Sequence, residues 1–188
     1  MKKIIVKTLL LYFLALVNFS YSEKINSIEI IGNKRIADET ILLLGNISLN
    51  EEIIKDEQLN DIFKNIYKTN FFSDVKVKFS NNTLFIEVSE NPIIQDIQFK
   101  GVKAKKTKEA IYDSLLLKNK SSYVTHYIDK DILNISNSLK KSGYYFAEVE
   151  LEIKENPNNT VNLIYNIDLG EKASIKKIKF LGNKIFKD

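Results

Sequence analysis

INSIEIIGNK (residues 25–34), IQDIQFKGVK (residues 94–103) and IKKIKFLGNK (residues 175–184) are three renderings of one ten-residue phrase. In each, an Ile is followed three residues later by a second Ile, two further on by Ile or Phe, and at the eighth position by Gly. Ile25, Ile28, Ile30 and Gly32 thus correspond to Ile94, Ile97, Phe99 and Gly101, and to Ile175, Ile178, Phe180 and Gly182. The later apolar positions alternate with polar residues, the period of a strand with one buried face. The Gly falls where the strand ends and the backbone must turn, a geometry easiest without a Cβ. The copies start 69 and 81 residues apart. Repeats of that length are small domains rather than solenoid rungs.

Outward from each copy the same order of elements recurs. In the first unit residues 38–44 read as a short helix stopped by Gly45. Residues 57–68 read as a second helix, with Leu59, Ile62, Phe63, Ile66 and Tyr67 on one stripe. Phe63 lies centrally on that stripe, where truncation to Ala is expected to cost about 3–5 kcal/mol. Val75, Val77 and Phe79 alternate with Lys76 and Lys78 as a second strand, Asn81 and Asn82 make a tight turn, and residues 83–88 return as a third. In the second unit Thr107 is placed to cap a helix reaching Leu117. Thr125 is placed to cap the next, whose face carries Ile128, Ile132, Ile135 and Leu139 and whose stop is Gly143. Val149, Leu151 and Ile153 alternate with Glu148, Glu150 and Glu152, residues 156–159 turn the chain, and residues 161–169 return. Both units read β-α-α-β-β, an α+β design in which two helices cover one face of a three-stranded sheet.

The N-terminus is a different kind of segment. Lys2, Lys3 and Lys7 precede an uncharged apolar run at residues 8–17, which is too short to span a bilayer and suits a signal peptide. Small residues at Ser20 and Ser22 place the expected cleavage between Ser22 and Glu23. Removal of residues 1–22 takes three of the 28 basic residues and none of the 24 acidic ones, so the net charge falls from +4 to +1. A balanced mature chain gives no footing for nucleic-acid binding. Lys100, Lys103, Lys105, Lys106 and Lys108 cluster locally and read as a solvated loop and helix start. The expected organisation is therefore a signal peptide at 1–22, repeats at 23–91 and 92–171, and the truncated start of a third at 172–188.

Catalytic chemistry finds little purchase. There is no Cys, one His (His126), and no Gly-rich phosphate loop. No enzyme activity, cofactor or metal is expected. Phe71, Phe72, Tyr144 and Tyr145, at the helix-to-strand junctions, read as core aromatics rather than a stacking platform.

The β-α-α-β-β order, the Ile-x-x-Ile-x-Phe/Ile-x-Gly phrase and the junctions at residues 69–75 and 142–149 resemble POTRA domains of the outer-membrane barrel-assembly and surface-antigen family. So do the joints at residues 88–94 and 170–175. Asn70 stands where that family usually has Gly, and Val102 replaces the usual Asn. The resemblance implies a periplasmic arm, at the inner face of the bacterial outer membrane, of a β-barrel assembly factor. Such an arm is expected to bind unfolded outer-membrane proteins, accessory lipoproteins of the assembly complex and periplasmic chaperones, with a membrane barrel following C-terminally. The arm of a two-partner-secretion or autotransporter-assembly transporter is the alternative. It also implies that the second strand of each unit lies at a sheet edge, where an alternating client segment can add as a further strand. The client-binding candidates are Val75, Lys76, Val77, Lys78 and Phe79 in the first unit, and Val149, Glu150, Leu151, Glu152 and Ile153 in the second.

Overall fold

The computed structural model describes residues 23–49, 52–53 and 56–178. The leader expected at residues 1–22 lies outside them, as do residues 179–188 of the third copy. The chain separates into two compact units: residues up to Thr69 with Asp74–Ser89, and Asn70–Ser73 with the residues from Glu90 onward.

The first unit begins with a short antiparallel pair, β1 (Glu23–Lys24) with β3 (Glu52–Ile53). Its main sheet holds β2 (Ser27–Ile31), β4 (Phe72–Ser80) and β5 (Thr83–Glu90) in the order β2-β5-β4, with β2 parallel to β5. The helices α1 (Asp38–Gly45) and α2 (Asp56–Tyr67) come between β2 and β4 in sequence. Leu84, Ile86 and Val88 of β5 are buried, as are Ile41 of α1 and Ile62 and Ile66 of α2, while Phe85 and Glu87 face the open side. That alternation is what a sheet covered by helices on one face requires.

Two expectations for this unit are revised. Gly45 is not the left-handed stop: it is the last, buried residue of α1, and Asn46 supplies the positive φ of 54°. The N–H of Asn46 bonds to Leu43 and that of Ile47 to Leu42, the paired closure of a Schellman motif. Gly45 is small for a packing reason, because a Cβ there would stand 2.6 Å from Ile47 Cδ1 and 3.3 Å from Ile66 Cδ1. Phe63, moreover, is only half-buried and stacks on the exposed Tyr67 ring at 5.5 Å, whereas Ile66 is wholly buried. The core of α2 is thus one position round from the expected centre. Ile66→Ala is expected to cost about 2–5 kcal/mol in urea melts, with Phe63→Ala the milder of the two. The reverse order would put the sheet on the other side of the stripe.

The second unit repeats the plan with β6 (Ile93–Lys100), α3 (Lys105–Ser114), a 3₁₀ turn (Thr125–Tyr127), α4 (Ile128–Lys141), β7 (Glu148–Asn156) and β8 (Thr160–Asp168). The sheet order is β6-β8-β7, parallel then antiparallel. Its core gathers Ile94, Ile97, Ile111, Leu117, Ile135, Leu139, Leu163 and Tyr165. A register shift between Ile94 and Asp96 accommodates the three-residue spacing of Ile94 and Ile97 in this unit, whereas Ile25 of the first unit precedes β2. In a regular strand Ile94 and Ile97 would face opposite ways; one extra residue lets both point inward. Gly143 does end α4, at φ 94°, with Tyr144 N–H bonded to Leu139 and Gly143 N–H to Lys140.

Neither threonine caps a helix here. α3 starts at Lys105 behind Ala104, so Thr107 lies within its first turn, and the helix stops at Ser114, short of Leu117. Thr125 opens the 3₁₀ turn and α4 starts three residues later. The chain leaves the helix early because Leu115 and Leu117 reach the core from non-helical backbone, held by a buried side chain on α4. That side chain is Asp131, wholly buried, whose carboxylate accepts the N–H of Leu116 at 2.6 Å and of Leu117 at 3.0 Å.

Both hairpin turns use paired left-handed asparagines, Asn81 and Asn82 in one unit, Asn158 and Asn159 in the other. The second Asn of each pair also does something a Gly would not. The Asn82 carbonyl accepts the N–H of Asn26, and its Nδ2 donates to the Lys24 carbonyl at 3.0 Å. The Asn159 carbonyl accepts the N–H of Ile93, and its Nδ2 donates to the Glu90 carbonyl at 3.1 Å. Each turn thereby pins the start of the parallel strand beside it. At the third copy, residues 171–178 form no strand, and Ile175 and Ile178 are exposed. The first two leading strands each pair with the last strand of their own unit, and among the described residues the third has no such partner.

Candidate functional site: two open sheet edges

A strand at the border of a sheet keeps one row of N–H and C=O groups that the sheet does not use. β4 and β7 are both border strands. The opposite border of the second unit is already occupied along part of its length. Lys120 donates to the Ile94 carbonyl, Ile94 to the Ser121 carbonyl, and Tyr123 to the Pro92 carbonyl, so residues 120–123 lie along β6. Nothing among the described residues pairs with the outer side of β7, which is the open edge of that sheet.

The sequence-derived residues fall on these strands in two sets, one per unit. On β4, Val75 is buried and Val77 and Phe79 are half-buried toward the helices, while Lys76 and Lys78 project from the open face. On β7, Val149 and Leu151 are half-buried, and Glu150 and Glu152 project outward beside Glu148. Ile153 departs from its expected place and is exposed, in the half of β7 whose side chains lose the buried alternation.

The two open faces differ in charge. Lys76 Nζ lies 3.2 Å from Glu87 and 3.7 Å from Asp74. The hydrogen-bonded Glu87 carboxylate holds that ammonium above its ordinary pKa. These are solvent-screened pairs that add little to stability. A hollow of about 250 Å³ on this face is lined by Lys76, Lys78, Glu29, Glu87, Phe85 and Ile31. On the second sheet a hollow of about 350 Å³ is lined by Lys100, Glu148, Glu150, Asn166 and Asp168. There the only lining cation is Lys100, which pairs with Glu152 at 3.7 Å.

Exposed apolar side chains were the part that sequence reasoning missed. Phe72 is buried as expected, but Phe71 and Tyr145 are exposed and Phe146 more so, at 80%. Aromatic runs at a junction give no alternation from which to choose a face. Phe85 and Ile31 on the open face were findable, since each sits out of phase with the buried alternation of its strand. His126 is exposed on the 3₁₀ turn, its ring edge-on to Tyr127. Among the described residues no three His, Asp or Glu side chains stand close enough to hold a metal ion. No described helix is long and apolar enough to cross a membrane.

Comparison with known proteins gives the geometry its setting. Residues 92–170 match POTRA, the surface antigen variable number repeat. Two curated relatives are the outer membrane protein assembly factors BamA of Neorickettsia risticii and of Neisseria meningitidis serogroup B. The first is 25% identical over 95% of this chain and 24% of its own length; the second is 27% identical over 93% and 22%. The chain therefore spans less than a quarter of the length of these relatives. Among solved structures, the N-terminal domain of Omp85 from the cyanobacterium Thermosynechococcus elongatus aligns at 16% identity and a TM-score of 0.49, over 76% of this chain and 61% of that one.

Proposed function

We propose, from the match of residues 92–170 to POTRA and the alignment of 95% of the chain with an outer-membrane protein assembly factor, that the chain is the periplasmic arm of such a factor. Its job is to hold unfolded outer-membrane proteins before they fold and insert, with accessory subunits docked on the same arm. The observation that carries this reading is the open border strand in each unit, β4 and β7. A barrel segment is itself an alternating strand. Adding it to such a border satisfies backbone groups on both sides without demanding one sequence, which suits a receptor for many clients. The assembly reading is preferred to a secretion transporter because the curated relatives quoted above are assembly factors.

Val77→Pro and Leu151→Pro each remove one backbone donor and bend the border locally. In variants that keep the far-UV spectrum of the parent chain, photo-crosslinking to unfolded barrel segments is expected to fall at the altered border. Unchanged crosslinking in both would remove border strands from the mechanism. Amide shifts of the unaltered chain, titrated with a client peptide, decide the matter if either proline variant unfolds: movement must centre on residues 75–79 or 149–153.

A further inference from the structure

We propose that the two open borders sort incoming strands by charge, β7 taking strands whose open-face side chains are basic and β4 taking strands whose open-face side chains are acidic. This rests on the border-binding reading and adds the chemistry of the partner. A strand that joins a sheet places its side chains about 4.5–5.5 Å from those of its new neighbour on the same face. On β7 those neighbours are Glu148, Glu150 and Glu152, with Lys154 after them, and among the described residues only Glu152 of the three carboxylates has an ion-pair partner, Lys100. The strand behind them does not neutralise the row. Glu148 lies opposite Asp168 and Glu150 opposite Asn166, so one further carboxylate is added. On β4 the corresponding side chains are Asp74, Lys76 and Lys78. Lys76 is engaged by Glu87 and Asp74, which leaves Lys78 as the available cation, beside the exposed Phe85 in the same hollow.

Rows of charge are also a common device against aggregation, because like borders repel. That repulsion acts between two β7 strands or two β4 strands. It does not act against a strand of opposite sign, for which the same charges are attractive. A uniform coat meant only to repel has no reason to reverse sign between two equivalent strands of a repeat.

The test uses two end-blocked peptides about ten residues long, the length of a membrane barrel strand, with Val alternating with Lys in one and with Glu in the other. Each is titrated into the isotopically labelled chain at low salt. The Lys peptide is expected to move amides of residues 149–153 at concentrations about three- to thirty-fold lower than the Glu peptide requires there, from two or three cross-strand charge pairs. The preference is expected to reverse at residues 75–79, more weakly, and to shrink for both as salt is raised. The triple variant Glu148→Lys, Glu150→Lys, Glu152→Lys, altered only at exposed positions, is expected to reverse the choice at β7. Equal affinity of both peptides at both borders would overturn the sorting while leaving border binding in place. Movement at neither border would overturn border binding and the sorting with it. Concentration-dependent association of the chain without peptide, with β4 of one copy on β7 of another, would overturn the proposal in favour of self-assembly.

Discussion

Gly101→Ala is expected to destabilise the second unit by more than about 3 kcal/mol, a large share of the 5–15 kcal/mol that holds an ordinary domain folded. Two effects add. Gly101 has φ 85°, where an L side chain costs about 1–3 kcal/mol of backbone strain. A Cβ built there would also run into the carbonyl oxygen of Ile167, on the central strand β8. Backbone in the middle of a sheet gives way only by parting β6 from β8. Gly32 stands in the same relation to the Val88 carbonyl of the first unit, at φ 93°. Gly143 supplies the control. Its φ is 94°, yet a Cβ there would meet only the flexible side chain of Lys172. Gly143→Ala therefore carries the strain without the collision and should cost about 1–2 kcal/mol. Urea melts of both variants decide it, and equal losses would show that the close approach to β8 contributes nothing.

Asp131→Ala should be the second severe change, costing about 2–5 kcal/mol. The carboxylate is buried and accepts two backbone N–H groups of the segment that follows α3. Its removal leaves both donors without a partner, at about 1–3 kcal/mol each when water cannot reach them. Asp131→Asn keeps one acceptor oxygen and should be clearly milder. Amide exchange at Leu116 and Leu117 separates this from general loosening. Faster exchange there than elsewhere in the unit is the expected result, and protection unchanged relative to the parent chain would refute the role assigned to the carboxylate.

What could be read in the sequence was whatever repeats or alternates. The phrase at Ile25, Ile94 and Ile175 gave the units, the alternation at Val75 and Val149 gave the second strands, and the paired asparagines gave the hairpins. What could not be read depended on a partner distant in the chain. Thr107 and Thr125 have the chemistry of caps, but α3 begins behind Ala104, and where α3 ends and α4 begins is decided by how Leu115, Leu117 and Val124 reach the core. Asp131 occupies the buried line of α4 with Ile135 and Leu139, spaced four apart, and an apolar stripe search passes over a carboxylate by construction. Phe63 and Ile66 are equally apolar, and only the placement of the sheet ranks them. The open borders were legible as strands and as charge rows. That residues 120–123 close off β6 was not, since that segment has no strand period.

The asparagine turns also bear on the order in which each unit assembles. β7 and β8 are neighbours in sequence, joined by a tight turn, so their hairpin closes a short loop and forms on the microsecond scale. β6 must instead find Thr160 and Val161 from the far side of two helices, at the higher entropic cost of a long loop. The strand that opens each repeat is thus the first to appear and the last to be placed. Until the hairpin exists, Asn159 is not formed into the turn that receives Ile93, and the leading strand has nothing to dock on. A chain delivered N-terminus first therefore completes a repeat only when its final strand has arrived, and each repeat folds as one delayed event rather than strand by strand.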